Sequence, residues 1–127
     1  TENWEQHAVD LLDAVGLVDR ADDLPMTFSR GLKQKAAITM AFVRPFDVML
    51  VDEPFVGLDR TGRLALLELF RLAHADGAAL VVATHELSSV LESQRLVALN
   101  GGVVTYDGDP QHADVNALTE GLEPSDE

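Results

Sequence analysis

Two short clusters carry residue types able to handle phosphate and a divalent cation. In the first, Ser29, Arg30, Gly31, Lys33 and Lys35 fall within seven positions; in the second, Asp52 and Glu53 stand side by side ahead of Pro54. A hydroxyl, three cations and a glycine that permits close backbone approach suit a polyanion, above all if they open a helix whose free N–H groups point the same way. Adjacent carboxylates can divide two tasks, one holding Mg²⁺ and the other orienting or deprotonating water. His85 adds a group able to contact phosphate or the attacking water. Each cluster taken alone also has a plain reading, a solvated group of charges or a strand end without chemistry.

The elements that must position these residues decide between the readings. Thr27 and Ser29 are helix N-cap types, and residues 30–44 contain several alanines and no proline, which predicts a helix. Its cations then lie in or near the first turn, where the macrodipole is already positive and each costs about 0.3–1 kcal/mol unless an anion neutralises it. Residues 48–51 form a continuous apolar run, the pattern of a parallel strand covered on both faces, and the run stops at Asp52-Glu53. Ligands of open α/β sheets sit at the carboxyl ends of strands, so the acidic pair occupies the functional end. A helix follows over residues 61–75, with Leu64, Leu67, Leu69, Phe70 and Leu72 as its apolar residues and Asp76-Gly77 as its stop. A second apolar run, 79–83, leads to Thr84-His85. Strand, helix and strand make a βαβ unit. If its strands are neighbours, about 4.8 Å apart, Thr84 and His85 stand beside Asp52 and Glu53.

The rest of the chain supports this unit. Trp4, Ala8, Leu11, Leu12 and Val15 recur at helical spacing over residues 2–15, with Trp4 read as packing and Gly16 as the C-cap. Residues 19–25 read as a polar linker, and 86–92 as a short helix. Two strands, 95–99 and 103–106, flank Asn100-Gly101-Gly102, a strong hairpin signal. From residue 107 the sequence becomes acidic and proline-bearing, the expectation being a mobile tail without chemistry. His7, His74 and His112 lack the setting of His85 and read as surface residues, and no pair of the four histidines has ligand spacing on one helix, which argues against a metal site.

Bulk properties narrow the class. The net charge is −13, with 11 acids and 7 bases in residues 1–63 and 11 acids and 2 bases in 64–127. Such a balance argues against nucleic acid as a partner, which needs a broad cationic surface. It also makes three cations between residues 30 and 35 stand out. There are no cysteines, which removes disulfides and thiolate metal sites. No apolar run approaches the roughly 20 residues that span a bilayer and no signal peptide is visible, so a soluble chain in a cytosolic setting is expected. The first residue is Thr1, so processing or excision from a longer chain is expected.

In this order the motifs resemble those of the ATP-binding subunit of an ABC transporter. Phe28-Ser29-Arg30-Gly31-Leu32-Lys33-Gln34 is similar to the family signature, usually LSGGQ, and residues 48–53 to the Walker B strand with its catalytic glutamate. Gly57-Leu58-Asp59 resembles the D-loop, His85 the switch histidine, and the final hairpin the segment that closes the domain. Arg30 and Leu32 depart from the usual glycine and glutamine. No G-x-x-x-x-G-K-[ST] occurs, so the P-loop is missing, as are the adenine-stacking aromatic and the glutamine loop. The resemblance therefore implies an α/β fold: an incomplete P-loop NTPase-type parallel sheet with part of a helical subdomain and a C-terminal β-hairpin. Residues 1–45 would belong to the helical (signature) subdomain, 46–106 to the C-terminal part of the ATPase core, and 107–127 to the acidic tail. A strand slot beside the switch-histidine strand would lie open, leaving the 127-residue chain unstable or prone to aggregate on its own.

The functional implications follow the same resemblance. ATP and Mg²⁺ are the implied ligands. Ser29, Arg30, Gly31, Lys33 and Asp59 would belong to the nucleotide site, with Ser29 and Gly31 meeting the γ-phosphate of a nucleotide held by a second ATPase subunit, homo- or heterodimeric. Asp52 would hold the metal, while Glu53 and His85 would be catalytic. Closure of the two ATPase domains would drive a transmembrane permease, leaving this subunit cytoplasmic and peripheral on the inner face of the cell membrane. The SRG-hydrophobic-K-Q form of the signature resembles the exporter branch. The alternative is a non-catalytic interaction module that lends only its signature helix to a partner's nucleotide.

Overall fold

The computed structural model describes residues 4–20, 22 and 28–119, which form two compact units, 1–85 and 86–127. Thr27, most of the expected 19–25 linker and residues 120–127 lie outside the described residues, as does the side chain of Trp4.

In the first unit, α1 (Trp4–Ala14) ends where Gly16 takes φ 71°. Gly16 N–H donates to the Asp13 carbonyl at 3.0 Å and Leu17 N–H to the Leu12 carbonyl at 2.7 Å, the Schellman closure that a left-handed glycine allows. That closure folds Leu17 back into a buried cluster with Leu11, Val15, Phe42 and Leu69. Helix α2 (Arg30–Val43) is capped by Ser29, whose Oγ accepts from Leu32 N–H at 3.2 Å. It stops at Arg44, which is extended because Pro45 follows. Strand β1 (Val48–Asp52) leads through a short loop to α3 (Arg60–Ala75), and a second Schellman closure at Gly77 turns the chain into β2 (Ala79–Ala83).

Strands β1 and β2 pair in parallel, Val48 opposite Ala79 through to Asp52 opposite Ala83. Helices α1, α2 and α3 supply the apolar cluster against which Met49 and Leu80 pack. The other face is open: Leu50 is 77% exposed, Val48 60% and Val81 59%. The expectation of a strand covered on both faces therefore holds for one face. Among the described residues the sheet has two strands, and nothing covers the second side.

In the second unit, a short α4 (Leu87–Val90) precedes the antiparallel pair β3 (Leu96–Asn100) and β4 (Val103–Gly108). Gly101 and Gly102 take φ 58° and 79°, the double left-handed turn matching the twist of a two-residue hairpin. The register slips between Ala98 and Leu99, a bulge that leaves Thr105 as the extra residue. Residue 107, where a mobile tail was expected to begin, lies inside β4 opposite Val97, and Arg95 holds the Asp107 carboxylate with two bonds of 2.8 Å. A 3₁₀ turn (Pro110–His112) and α5 (Val115–Thr119) follow, the turn capped by Asp109 and seated by the buried Pro110.

Two outcomes follow. The 127-residue chain on its own should bind an apolar-surface dye and self-associate, and Leu50→Thr with Val81→Thr should reduce both while circular dichroism keeps its helical signal. The hydrogen bonds from Arg95 hold the Asp107 carboxyl below the usual carboxylate range. Its contribution to the hairpin is present above the ordinary value of about 4 and is lost as pH falls through the lowered one. Acid melts of wild type and Asp107→Asn, followed at the hairpin amides, should converge at low pH.

Candidate functional site

The carboxyl ends of β1 and β2 meet as their sequence positions require. Asp52 ends β1 opposite Ala83, and Glu53 N–H donates to the Ala83 carbonyl at 2.8 Å, extending the ladder by one residue. Two residues beyond Ala83, the His85 ring reaches back, its Nδ1 2.6 Å from Glu53 Oε1. Glu53 is the one non-glycine among the described residues with a positive φ, 45°. A residue before proline is biased towards extended backbone, and a left-handed non-glycine costs about 1–3 kcal/mol, so the turn persists because its surroundings impose it. The ladder bond, the histidine and the fully buried Pro54 are such surroundings. The imidazole is 77% exposed and the Glu53 side chain 35%, so both are accessible to a water or phosphate.

Phe55 anchors the loop that follows. It is buried, with its ring edge-on to Phe70 of α3 at 6.2 Å. Gly57 takes φ 78°, and Leu58 N–H donates to the Phe55 carbonyl at 3.1 Å. Asp59 then caps α3, its Oδ1 accepting from Gly62 N–H at 2.7 Å. Sequence reasoning placed Asp59 in the nucleotide site without foreseeing this cap. An aspartate, an N-cap type, standing just ahead of a helical run was the signal for it.

The start of α2 lies against the same loop. A Cβ on Gly31 would stand 2.8 Å from the Gly57 carbonyl oxygen, so only glycine permits the approach. The stem of Arg30 runs beside Gly57, and Lys35 Cε comes within 3.0 Å of where a Gly62 Cβ would be. Between Ser29–Leu32 with Lys35 on one side and Gly57–Asp59 on the other lies an open groove of about 390 Å³. The Ser29 hydroxyl, accepting from Leu32 N–H, keeps its own hydrogen for an anion. No acid stands in the first turn of α2, so nothing there offsets its cations. Lys33 is exposed and does not line the groove.

Asp52, Glu53 and His85 are thus gathered at one sheet end, while Ser29, Arg30, Gly31 and Asp59 border a separate groove. Among the described residues no group of three or more acids and histidines is arranged to hold a metal. The exposed Asp52 fits the Mg²⁺ expectation in a narrower sense, since that ion is commonly held by one or two carboxylates together with substrate phosphates and water.

The fold is that of part of an α/β nucleotide-binding domain, seen here as a small parallel sheet, its helices and an antiparallel hairpin. A solved ATP-binding subunit of an ABC transporter superposes with a TM-score of 0.82 at 30% identity, over 98% of this chain and 56% of that one. The chain belongs to the family of ABC transporter ATP-binding subunits. An ABC transporter ATP-binding protein of Halobacterium salinarum is 38% identical over 110 residues, 86% of this chain and 47% of its own length. The aliphatic sulfonates import ATP-binding protein of Paracoccus denitrificans is 38% identical over 104 residues, 80% of this chain and 43% of its own. A macrolide export ATP-binding/permease protein of Yersinia pestis is 33% identical over 112 residues, 88% of this chain and 16% of its own. No family model matches. The chain thus spans about half the length of the ATP-binding relatives it matches.

The glycine contact gives a direct test. In the complete subunit, Gly31→Ala should lower stability by about 1–3 kcal/mol, the usual cost of forcing a methyl against backbone. Asp59→Ala should lower it by about 1 kcal/mol through loss of a cap. Urea unfolding of each variant measures both, and a Gly31→Ala protein of unchanged midpoint would contradict the contact.

Proposed function

We propose that this chain is the signature-bearing part of an ATPase that powers transport, hydrolysing ATP in a head-to-tail pair of subunits that works on a transmembrane permease. The observation that carries it is the 2.6 Å contact of His85 with Glu53 at the ends of paired parallel strands. In this reading Glu53 polarises the attacking water and accepts its proton, a task that needs a carboxylate within hydrogen-bond reach of the water. His85 orients Glu53 through Nδ1 and offers its other ring nitrogen to the γ-phosphate. Asp52 is the residue placed to hold Mg²⁺, which supplies charge neutralisation on the phosphates when bound.

The groove at the start of α2 receives the γ-phosphate of the nucleotide bound by the partner subunit. The Ser29 hydroxyl, backbone N–H of Gly31 and the charge of Arg30 meet it there, Lys33 adds its charge from the exposed side of the same turn, and Asp59 stands at the rim toward the second subunit. Catalysis is positioning and charge stabilisation, without a covalent intermediate. We read the direction as export, on the form of the signature alone; the relatives named above include both an importer and an exporter. We place the subunit on the inner face of the cell membrane, held there by its permease; among the described residues no helix is long and apolar enough to cross a membrane.

In the complete transporter, Glu53→Gln should keep ATP binding and slow turnover by about 10²–10⁴-fold, the range for loss of a general base. Binding of a fluorescent ATP analogue and phosphate release measure the two halves. Wild-type turnover in that variant would take Glu53 out of the role.

A further inference from the structure

Gln34 has no part in the account so far, yet its side chain bridges the two sites. It lies on the partly buried side of α2, and its Nε2–H donates to the Pro54 carbonyl at 3.1 Å. Pro54 directly follows Glu53, the residue held at φ 45°. Three restraints therefore act on that turn. On the strand side, Glu53 N–H is held by the Ala83 carbonyl at 2.8 Å. At the carboxylate, His85 Nδ1 stands 2.6 Å away. On the far side, the Pro54 carbonyl is held from α2. The first two belong to β2 and its continuation; the third belongs to the helix whose first turn carries Ser29 and Gly31.

That third restraint is the one free to change. A left-handed residue ahead of proline returns to extended backbone unless both flanks are fixed. Its ladder side is fixed by a strand; on the proline side the Pro54 ring is buried, and its carbonyl is held by one neutral side chain. The same helix also bears on the loop further along, at the close approach of Gly31 to the Gly57 carbonyl. A displacement of α2 thus shifts the partner of the Pro54 carbonyl and the prop under Gly57 together. The chemistry of the bridge suits the place. A glutamine amide donates to the carbonyl without bringing charge, whereas a lysine there would compete with His85 for the Glu53 carboxylate.

We propose that Gln34 is a positioning residue for Glu53: by holding the Pro54 carbonyl it keeps Glu53 in the turn that aims its carboxylate at His85. The geometry for hydrolysis in one subunit is thereby tied to the seating of that subunit's own signature helix. This rests on the ATPase reading above, in which α2 faces the nucleotide held by the second subunit. Occupancy of one nucleotide site then sets the aim of Glu53 at the other.

The test uses the complete transporter with Gln34→Met, which keeps volume and removes the donor, and Gln34→His, whose ring N–H has similar reach. Gln34→Met should bind ATP with wild-type affinity while kcat falls about tenfold, the equivalent of one ordinary hydrogen bond's worth of misalignment. Its Hill coefficient for ATP should drop toward one. Gln34→His should recover most of both. The His85 imidazole signals in an NMR spectrum of the histidine-labelled subunit should move in Gln34→Met and return in Gln34→His, a readout independent of turnover. Unmoved His85 signals, a wild-type kcat and Hill coefficient in Gln34→Met, or losses that track a lowered melting temperature and ATP affinity in both variants would overturn the proposal. Glu53→Gln in the same preparation separates the readings: turnover surviving that change takes Glu53 out of the catalytic role, and a wild-type complex without ATP turnover overturns the ATPase reading, whereas the His85 signals still decide whether Gln34 positions Glu53.

Discussion

The parallel pairing of β1 with β2 is the constraint on which the rest depends. Side chains at a strand end can cooperate only if the register brings them level, and a slip of one residue would turn Glu53 to the opposite face of the sheet from His85. The crossover sets that register at both ends. Asp59 fixes the start of α3 by capping it, and the left-handed Gly77 fixes its end by closing it onto Ala78, whose neighbour Ala79 opens β2. Leu66 and Leu69, on the buried side of α3, then leave little freedom to rotate the helix against the strands. The acid and the histidine meet because a cap, a glycine and two leucines agree on one geometry.

A stiff frame of this kind lets a strained turn persist. The left-handed Glu53 stands between a ladder bond and a buried proline, and the next residue, Phe55, is pinned among Phe70 and its neighbours. Backbone strain of this sort is retained where the surroundings over-determine the conformation, and it collects where a side chain must be aimed. Here the aimed group is a carboxylate with a histidine at 2.6 Å. Releasing the strain would recover its local cost but would lose the aim, which is why the restraints around the turn matter more to function than to stability.

Much of this was legible in the sequence, and the reasons are local. The spans of α2, β1, α3 and β2 follow from caps, apolar periodicity and glycine stops, and the observed ends differ from the expected ones by a residue or so. The meeting of Glu53 and His85 could be read because a βαβ unit has essentially one arrangement. What could not be read depends on contacts between distant positions. The bond from Gln34 to Pro54 joins residues 20 apart, and a glutamine in a helix carries no mark of what it will touch. The left-handed turn at Glu53 runs against the preference of its own sequence, since only tertiary contacts make it affordable. Arg95, just ahead of β3, pairs with Asp107 of β4, 12 residues on, and the ladder to Val97 takes into β4 a segment that composition alone marks as a tail. The bare face of Leu50 and Val81 was hidden for a different reason: an apolar run reports what a strand is suited to, and not what covers it.

The charge distribution adds a last step. Cations at the positive end of a helix dipole are unfavourable by about 0.3–1 kcal/mol each, and α2 has Arg30 and Lys33 there with no acid in the first turn to offset them. The protein has acids in excess, with a net charge of −13, so one of them near this turn would be the ordinary remedy. Instead Asp59, the acid bordering the same groove, spends one oxygen on capping α3. The turn is therefore left electropositive within an acidic molecule, and a bound anion relieves the cost that the fold itself leaves standing. The more highly charged the anion, the larger the relief, so under the proposed function this turn would distinguish a nucleotide with its terminal phosphate from one that has lost it. Through the Gln34 bond to the Pro54 carbonyl, the proposed coupling would make the electrostatics of that groove and the aim of the carboxylate at the sheet end a single problem.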